Sequence, residues 1–200
     1  MKHSVSSHIE TQRYAAILQT AGQLFGEKGY QAVSLDEIAR TAGVAKGLIN
    51  YHFGSKEDLL AEILSISRAR LSEKLDAIAQ SDQSAKSKIR SAVEVYLEAA
   101  GSRVALFQMA ISVYFEAAYS ERIRKLWLSS LEENESKFMK LIEIGVAGGE
   151  LKPVDSRLIT HFVVGMVFEM IRISIAQKKP VKSKKLADEI VKVLFDGVGR

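Results

Sequence analysis

The chain has 200 residues, 47% of them hydrophobic and 26% charged, with no cysteine and only two prolines. This is the balance of an ordinary globular chain, and it excludes a disulfide scaffold, thiol redox sensing and cysteine-ligated zinc. The formal net charge is +4, yet residues 1–60 hold six basic and six acidic groups. The excess comes largely from Lys178, Lys179, Lys182, Lys184 and Lys185, so net charge by itself argues for no nucleic-acid partner.

In chain order, MKHSVSSH reads as a polar, disordered tail without a signal-peptide pattern. A helix is expected from about Ile9 to Lys28, because Ile17, Ala21, Leu24 and Phe25 recur at the i, i+4, i+7, i+8 spacing of one buried face. Gly29 ends it as a C′ glycine, and Tyr30 and Val33 close a small core from the loop. The stretch from Ser34 to Phe53, SLDEIARTAGVAKGLINYHF, then divides into helix, tight turn, helix. Ser34 and Glu37 fit a capping box, and Ile38, Ala39 and Ala42 give the first helix an apolar face. Gly43 tolerates the positive φ that a corner requires, and Val44 plugs that corner. The second helix runs from Ala45 or Lys46 to about His52, with Ile49 and Phe53 turned inward. Lys46, Leu48, Asn50 and Tyr51 cover the rest of its surface. This is a helix-turn-helix whose second helix has the form that enters a DNA major groove.

Beyond Phe53, Gly54 and Ser55 cap a long helix from about Lys56 to Ala79, and SDQSAKSK (81–88) is a polar break. Helical patterns resume over roughly Ala85–Ala100, Val104–Ala118 and Glu121–Val146, the last stopped by Gly148 and Gly149. Asp155 and Ser156 cap a helix to about Gln177, and the loop KKPVKSKK leads to a final helix over about Lys184–Phe195. Neither Pro153 nor Pro180 interrupts a periodic segment, so the expected fold class is all-α. The longest charge-free apolar stretches, Val104–Phe115 and Leu158–Phe168, fall short of the ~20 residues of a membrane span. No membrane partner is expected, and the reducing cytoplasm is compatible with the absence of cysteine.

Residues 13–60 resemble the DNA-binding domain of the TetR family of bacterial transcription regulators. The resemblance is carried in order by Ile17-Leu18, Ala21, Leu24-Phe25, Lys28-Gly29-Tyr30, Ser34, Ile38-Ala39, Ala42-Gly43-Val44, Lys46-Gly47, Tyr51-His52-Phe53, Ser55-Lys56-Glu57 and Leu59-Leu60. The chain departs from the commonest pattern at Ala45, where a serine is usual, and at Asn50, where a tyrosine is usual. The resemblance implies a three-helix DNA-binding domain over residues 1–55 and a larger helical ligand-binding and dimerisation domain over residues 56–200. It further implies a cytoplasmic homodimer, a repressor released from a quasi-palindromic operator in double-stranded DNA by a small apolar or amphipathic effector. A regulator with no small-molecule effector, or one switched by a protein partner, is the alternative.

The residues expected at DNA are Ser34, Ala45, Lys46, Gly47, Leu48, Asn50, Tyr51, His52 and Lys56. Lys46 can donate to guanine or phosphate, Leu48 can touch a thymine methyl, and Gly47 lets the backbone approach closely. Asn50 can bond a phosphate oxygen or, bidentately, an adenine, and Tyr51, His52 and Lys56 offer phosphate donors. For Ser34 the competing reading is a plain cap, and for His52 a structural role stands as an equal reading. In the body, Phe107, Tyr114, Trp127, Phe162, Met166 and Glu169 are the expected effector-lining residues, with core packing as the competing reading of each apolar one. Glu169 and Arg172, three apart in an apolar run, can instead simply pair. The segment Ile159–Ala176 is apolar nearly all round, which calls for a second subunit on one side. The lysine-rich loop at 178–185 reads as a solvated connector. The four histidines are scattered, and no phosphate-binding glycine loop or nucleophile elbow occurs. No catalytic residue, metal or cofactor is expected, and the chain does not read as an enzyme.

Overall fold

A computed structural model describes residues 2–101, 120–177 and 179–198, and it is all-α. The described helices are α1 (Lys2–Lys28), α2 (Leu35–Ala42), α3 (Lys46–Phe53), α4 (Lys56–Gln80), α5 (Ala85–Gly101), α6 (Glu121–Ala147), α7 (Ser156–Ala176) and α8 (Ser183–Val198). The expected helix over Val104–Ala118 lies outside the described residues. The N-terminal tail is a correction: the helical backbone begins at Lys2 rather than near Ile9. Residues 2–8 contain neither glycine nor proline, so nothing in their backbone stops the helix early.

The chain forms two compact units, one of Met1–Ser67 with Val104–Leu128, the other of Arg68–Arg103 with Ser129–Arg200. Helices α4 and α6 therefore contribute residues to both. In the first unit, Ile17, Ala21, Leu24 and Phe25 of α1 meet Ile38 and Ala39 of α2, Ile49 and Phe53 of α3, and Leu59, Leu60, Ile63 and Leu64 of α4. Val33 closes this core from the α1–α2 loop, with Tyr30 packed against it. Burying each large aliphatic or aromatic side chain contributes about 1.5–3 kcal/mol. That packing is what holds α2 and α3, since helices of two turns are unstable alone. Ile123 of α6 is buried in the same core, with Leu126 and Trp127 half-buried against it.

In the second unit, α5 packs on α7 and α8. Its buried residues Ala85, Ile89, Val93 and Leu97 belong with Val163, Val167 and Ile171 of α7 and Ala187, Ile190, Val191 and Leu194 of α8. The Glu150 carboxylate caps α5, accepting the Ala85 and Lys86 amides at 2.7 and 3.1 Å. Gly145 is needed for contact: a Cβ there would lie 3.0 Å from Leu151 and 3.2 Å from Ala85. Asp155 caps α7 as expected, its Oδ1 accepting the Leu158 amide at 3.0 Å.

Helix α7 is the most apolar of the described helices. Its charge-free runs are short, but by length and composition the whole helix is apolar enough to cross a bilayer. Its only charges past the first turn apart from His161 are Glu169 and Arg172, which form a bidentate pair at 2.7 and 2.7 Å. One stripe, Thr160, Val163, Val167 and Ile171, is buried in the second unit. The other side leaves Leu158 and Phe162 exposed, at 64% and 60%.

Candidate nucleic-acid interface

The corner between α2 and α3 is built from local chemistry. Ser34 has extended backbone angles and its Oγ accepts the Glu37 amide at 3.1 Å. The Glu37 carboxyl is held below its usual range, first by the hydrogen bond from Lys28. At the other end of α2, Gly43 adopts φ 68° and ψ 32°. Its N–H donates to Arg40 O at 3.4 Å, and the Val44 N–H donates to Ala39 O at 3.0 Å. These are the two bonds of a Schellman stop, and Val44 completes it by packing on the core that contains Ala39.

That corner aims α3. With Ile49 and Phe53 buried, Lys46, Gly47, Asn50 and Tyr51 form one continuous outward stripe at i, i+1, i+4, i+5. Tyr51 is 77% exposed, far more than an aromatic ring on a short helix needs to be. Ala45 sits exposed at the N-cap with no side-chain capping bond. Replacing it by serine is therefore expected to stabilise the first unit by about 1 kcal/mol, the usual worth of such a cap. Urea melts of the two proteins would show it as a shifted midpoint at unchanged slope, and no shift would mean that the Ala45 position cannot reach the α3 amides.

Three residues expected at DNA also make contacts within the chain. Leu48 is half-buried against the core rather than fully outward. His52 packs edge-on against the Tyr14 ring at 5.4 Å and the Tyr51 ring at 5.2 Å, and its Nε2 is buried without a partner among the described residues. Lys56 turns back into the protein. Its Nζ donates to Tyr30 O and Val33 O, each at 3.0 Å, and lies 4.4 Å from the centre of the Tyr30 ring. Burial lowers the pKa of this ammonium. Lys56 thus fastens the α1–α2 loop, a role its place in the sequence did not reveal.

Lys46 points outward but is not idle: its Nζ lies 2.8 Å from Asp36 Oδ2 across the corner. Just beyond α3, Ser55 and Asp58 form the α4 cap, the Asp58 amide donating to Ser55 Oγ at 3.0 Å. Ser55 and then Arg122 hold the Asp58 carboxyl below its usual range, with Arg122 Nη1 at 2.6 Å. A groove of about 560 Å³ in the first unit is lined by Tyr14, His52, Phe53, Asp58, Glu62 and Arg122, among others. The Tyr14 hydroxyl donates to Glu62 at 2.7 Å, and burial, then that carboxylate, push its pKa up to about 12.

None of the expected effector-lining residues lines this groove. Phe107 and Tyr114 lie outside the described residues. Trp127 is packed against the core of the first unit, and Phe162, Met166 and Glu169 stand on α7 in the second. Phe162 and Glu169, seven apart, share its outer side, and Glu169 is engaged by Arg172. Among the described residues no cluster of His, Asp or Glu is arranged to hold a metal ion.

Residues 17–63 match the family model of bacterial regulatory proteins, tetR family. The HTH-type transcriptional regulator AcrR of Shigella flexneri is 44% identical over 57 residues, 28% of this chain and 26% of its own length. The first curated relatives are each matched over only 24% to 39% of their own length. Likeness of fold extends further. FadR from Bacillus subtilis, solved in complex with stearoyl-CoA, superposes with a TM-score of 0.77 at 23% identity, over 92% of this chain and 99% of that one. AibR, solved with isovaleryl coenzyme A and operator DNA, does so with a TM-score of 0.73 at 21% identity, over 92% and 98%. With the capped α2, the Schellman corner and the outward stripe of α3 all inside it, the segment over residues 17–63 is what this chain shares with the bacterial regulatory proteins of the tetR family.

Proposed function

We propose that this chain is a cytoplasmic, homodimeric transcriptional repressor that reads a quasi-palindromic operator with α3 and is released from it by an acyl-CoA thioester. The observation that carries the DNA reading is the α3 stripe of Lys46, Gly47, Asn50 and Tyr51, exposed on a helix fixed by buried Ile49 and Phe53. Two such stripes related by a two-fold axis would enter successive major grooves. The dimer reading rests on the outer side of α7 and on Val193 of α8, large apolar side chains that the single chain leaves exposed. The same use of α7 as an interface accounts for its composition without a membrane. The functional division is placed at residue 55, with residues 1–55 as the reading head and residues 56–200 as the effector and dimerisation part.

The effector class is taken from the fold relatives solved with stearoyl-CoA and isovaleryl coenzyme A. One observation favours the effector-free reading instead: Phe162 is exposed and Glu169 is already paired, so two of the expected lining residues serve other ends.

Selection of bound duplexes from a random pool tests the DNA reading directly, and failure to enrich any sequence would refute it. On the enriched duplex, Lys46→Ala is expected to weaken binding about tenfold, the scale of one lost charge-assisted hydrogen bond. Lys56→Ala is expected to act through the fold: it strips donors from the Tyr30 and Val33 carbonyls and should lower the melting temperature. A Lys56→Ala protein that melts normally yet binds weakly would restore Lys56 to the DNA surface.

A further inference from the structure

The three lysines around the helix-turn-helix corner are all engaged within the chain. Lys28 pairs with Glu37 at 2.6 Å, Lys46 pairs with Asp36 at 2.8 Å, and Lys56 is held by loop carbonyls. The two carboxylates are consecutive in the first turn of α2 and reach in different directions, one to the end of α1 and one to the start of α3. The Lys46–Asp36 pair is well exposed on both sides, at 50% and 68%, so it adds little to the stability of the fold. Its position is more telling. Lys46 is the first residue of α3, where the helix dipole disfavours a cation, and it is the one lysine on the outward stripe. A carboxylate oxygen at 2.8 Å from Nζ stands where a phosphate oxygen would have to stand.

We propose that Asp36 is a built-in competitor of the DNA backbone: it holds the Lys46 ammonium as a phosphate would, and so lowers the sequence-independent part of the affinity for duplex DNA. The inference rests on the operator-binding reading above. Docking exchanges a lysine–carboxylate pair for a lysine–phosphate pair and leaves Asp36 unpaired beside a polyanion. The counterion that Lys46 releases from the phosphate is offset by the cation that the freed carboxylate takes up. Lys46 therefore contributes little to the salt dependence of the wild-type protein, although it touches DNA. An unpaired lysine in the same place would contribute about 0.9 to the log–log slope.

The test is a double-mutant cycle of Asp36→Asn and Lys46→Met, read as affinity for the selected operator and for a random duplex across a KCl series. Glu37→Gln is the control, since it changes net charge equally and frees a lysine that is not on the outward stripe. Asp36→Asn is expected to tighten binding to both duplexes about two- to fivefold at moderate salt. It should also steepen the slope by about 0.9. Lys46→Met should flatten the slope only slightly in the wild-type background, and by the full ~0.9 in the Asp36→Asn background. A merely structural Asp36 would lower the melting temperature and leave the slope alone. An unchanged slope in Asp36→Asn, an equal change in Glu37→Gln, or a gain undiminished in the Lys46→Met background would each overturn the inference while leaving operator binding standing. A wild-type protein that binds no duplex would overturn the operator reading and this inference with it.

Discussion

Phe162→Glu is expected to yield a folded monomer that no longer holds its operator. The side chain is 60% exposed on the outer side of α7, four residues from Leu158, which is 64% exposed. Helix content by circular dichroism should therefore survive the change. In a dimer the same position is covered, and a carboxylate there is desolvated without a partner, a penalty of several kcal/mol in an interface. Losing the proposed dimer would convert a two-headed contact with the operator into a one-headed one. That removes a factor of about 10²–10⁴ in apparent affinity. Sedimentation of Phe162→Glu across micromolar concentrations, with operator binding by anisotropy, measures both effects. A dimeric Phe162→Glu protein would place the interface elsewhere. Val163 and Val167 would not serve for this test, because both are buried within the second unit and a charge there attacks the fold.

The second large effect expected of the proposed repressor is reciprocal antagonism between effector and operator. If a long-chain acyl-CoA is the inducer, the factor by which it weakens DNA binding must equal the factor by which DNA weakens its own binding. Coupling of ~1–3 kcal/mol corresponds to roughly 5–150-fold in each direction. Titrating stearoyl-CoA and isovaleryl-CoA by calorimetry, with and without saturating operator, measures that factor twice and independently. An acyl-CoA that binds with the same constant in both titrations is not the inducer. Equal constants for the whole chain-length series would favour regulation without a small molecule. The lone tryptophan is a poor reporter for this purpose. Trp127 packs against the core of the first unit, so its fluorescence follows that core and its melting.

What could be read from the sequence was whatever lies within a few residues of its own consequence. Ser34 with Glu37, Gly29 and Gly43 act over three to five positions, and each stands in the structure as its chemistry demanded. The inward turn of Ile49 and Phe53 followed from helical periodicity alone, as did the pairing of Glu169 with Arg172. Distance along the chain is where reading stopped. Ile123 completes a core whose other members lie between positions 17 and 64, and no local pattern announces that. Lys56 marks a limit of another kind, because a long, flexible side chain can end on a phosphate or on a loop carbonyl with the same sequence around it. The Asp36–Lys46 pair crosses a turn whose geometry had first to be built. Periodicity showed that α7 is apolar on all sides, but it does not say which side belongs to which neighbour.

The bare N-cap of α3 bears on timing as well as on energy. Ala45 offers no acceptor, and among the described residues the amides of Lys46 and Gly47 find none in the chain. These protons should therefore be among the first to exchange with deuterated solvent, well ahead of those in the middle of α4. An eight-residue helix fixed at Ile49 and Phe53 but uncapped at its leading turn is expected to fray from that end first. The first turn to meet a duplex would be the least ordered part of the reading head. Exchange protection gained at Lys46 and Gly47 on adding operator would then date the ordering of that turn to the moment of docking.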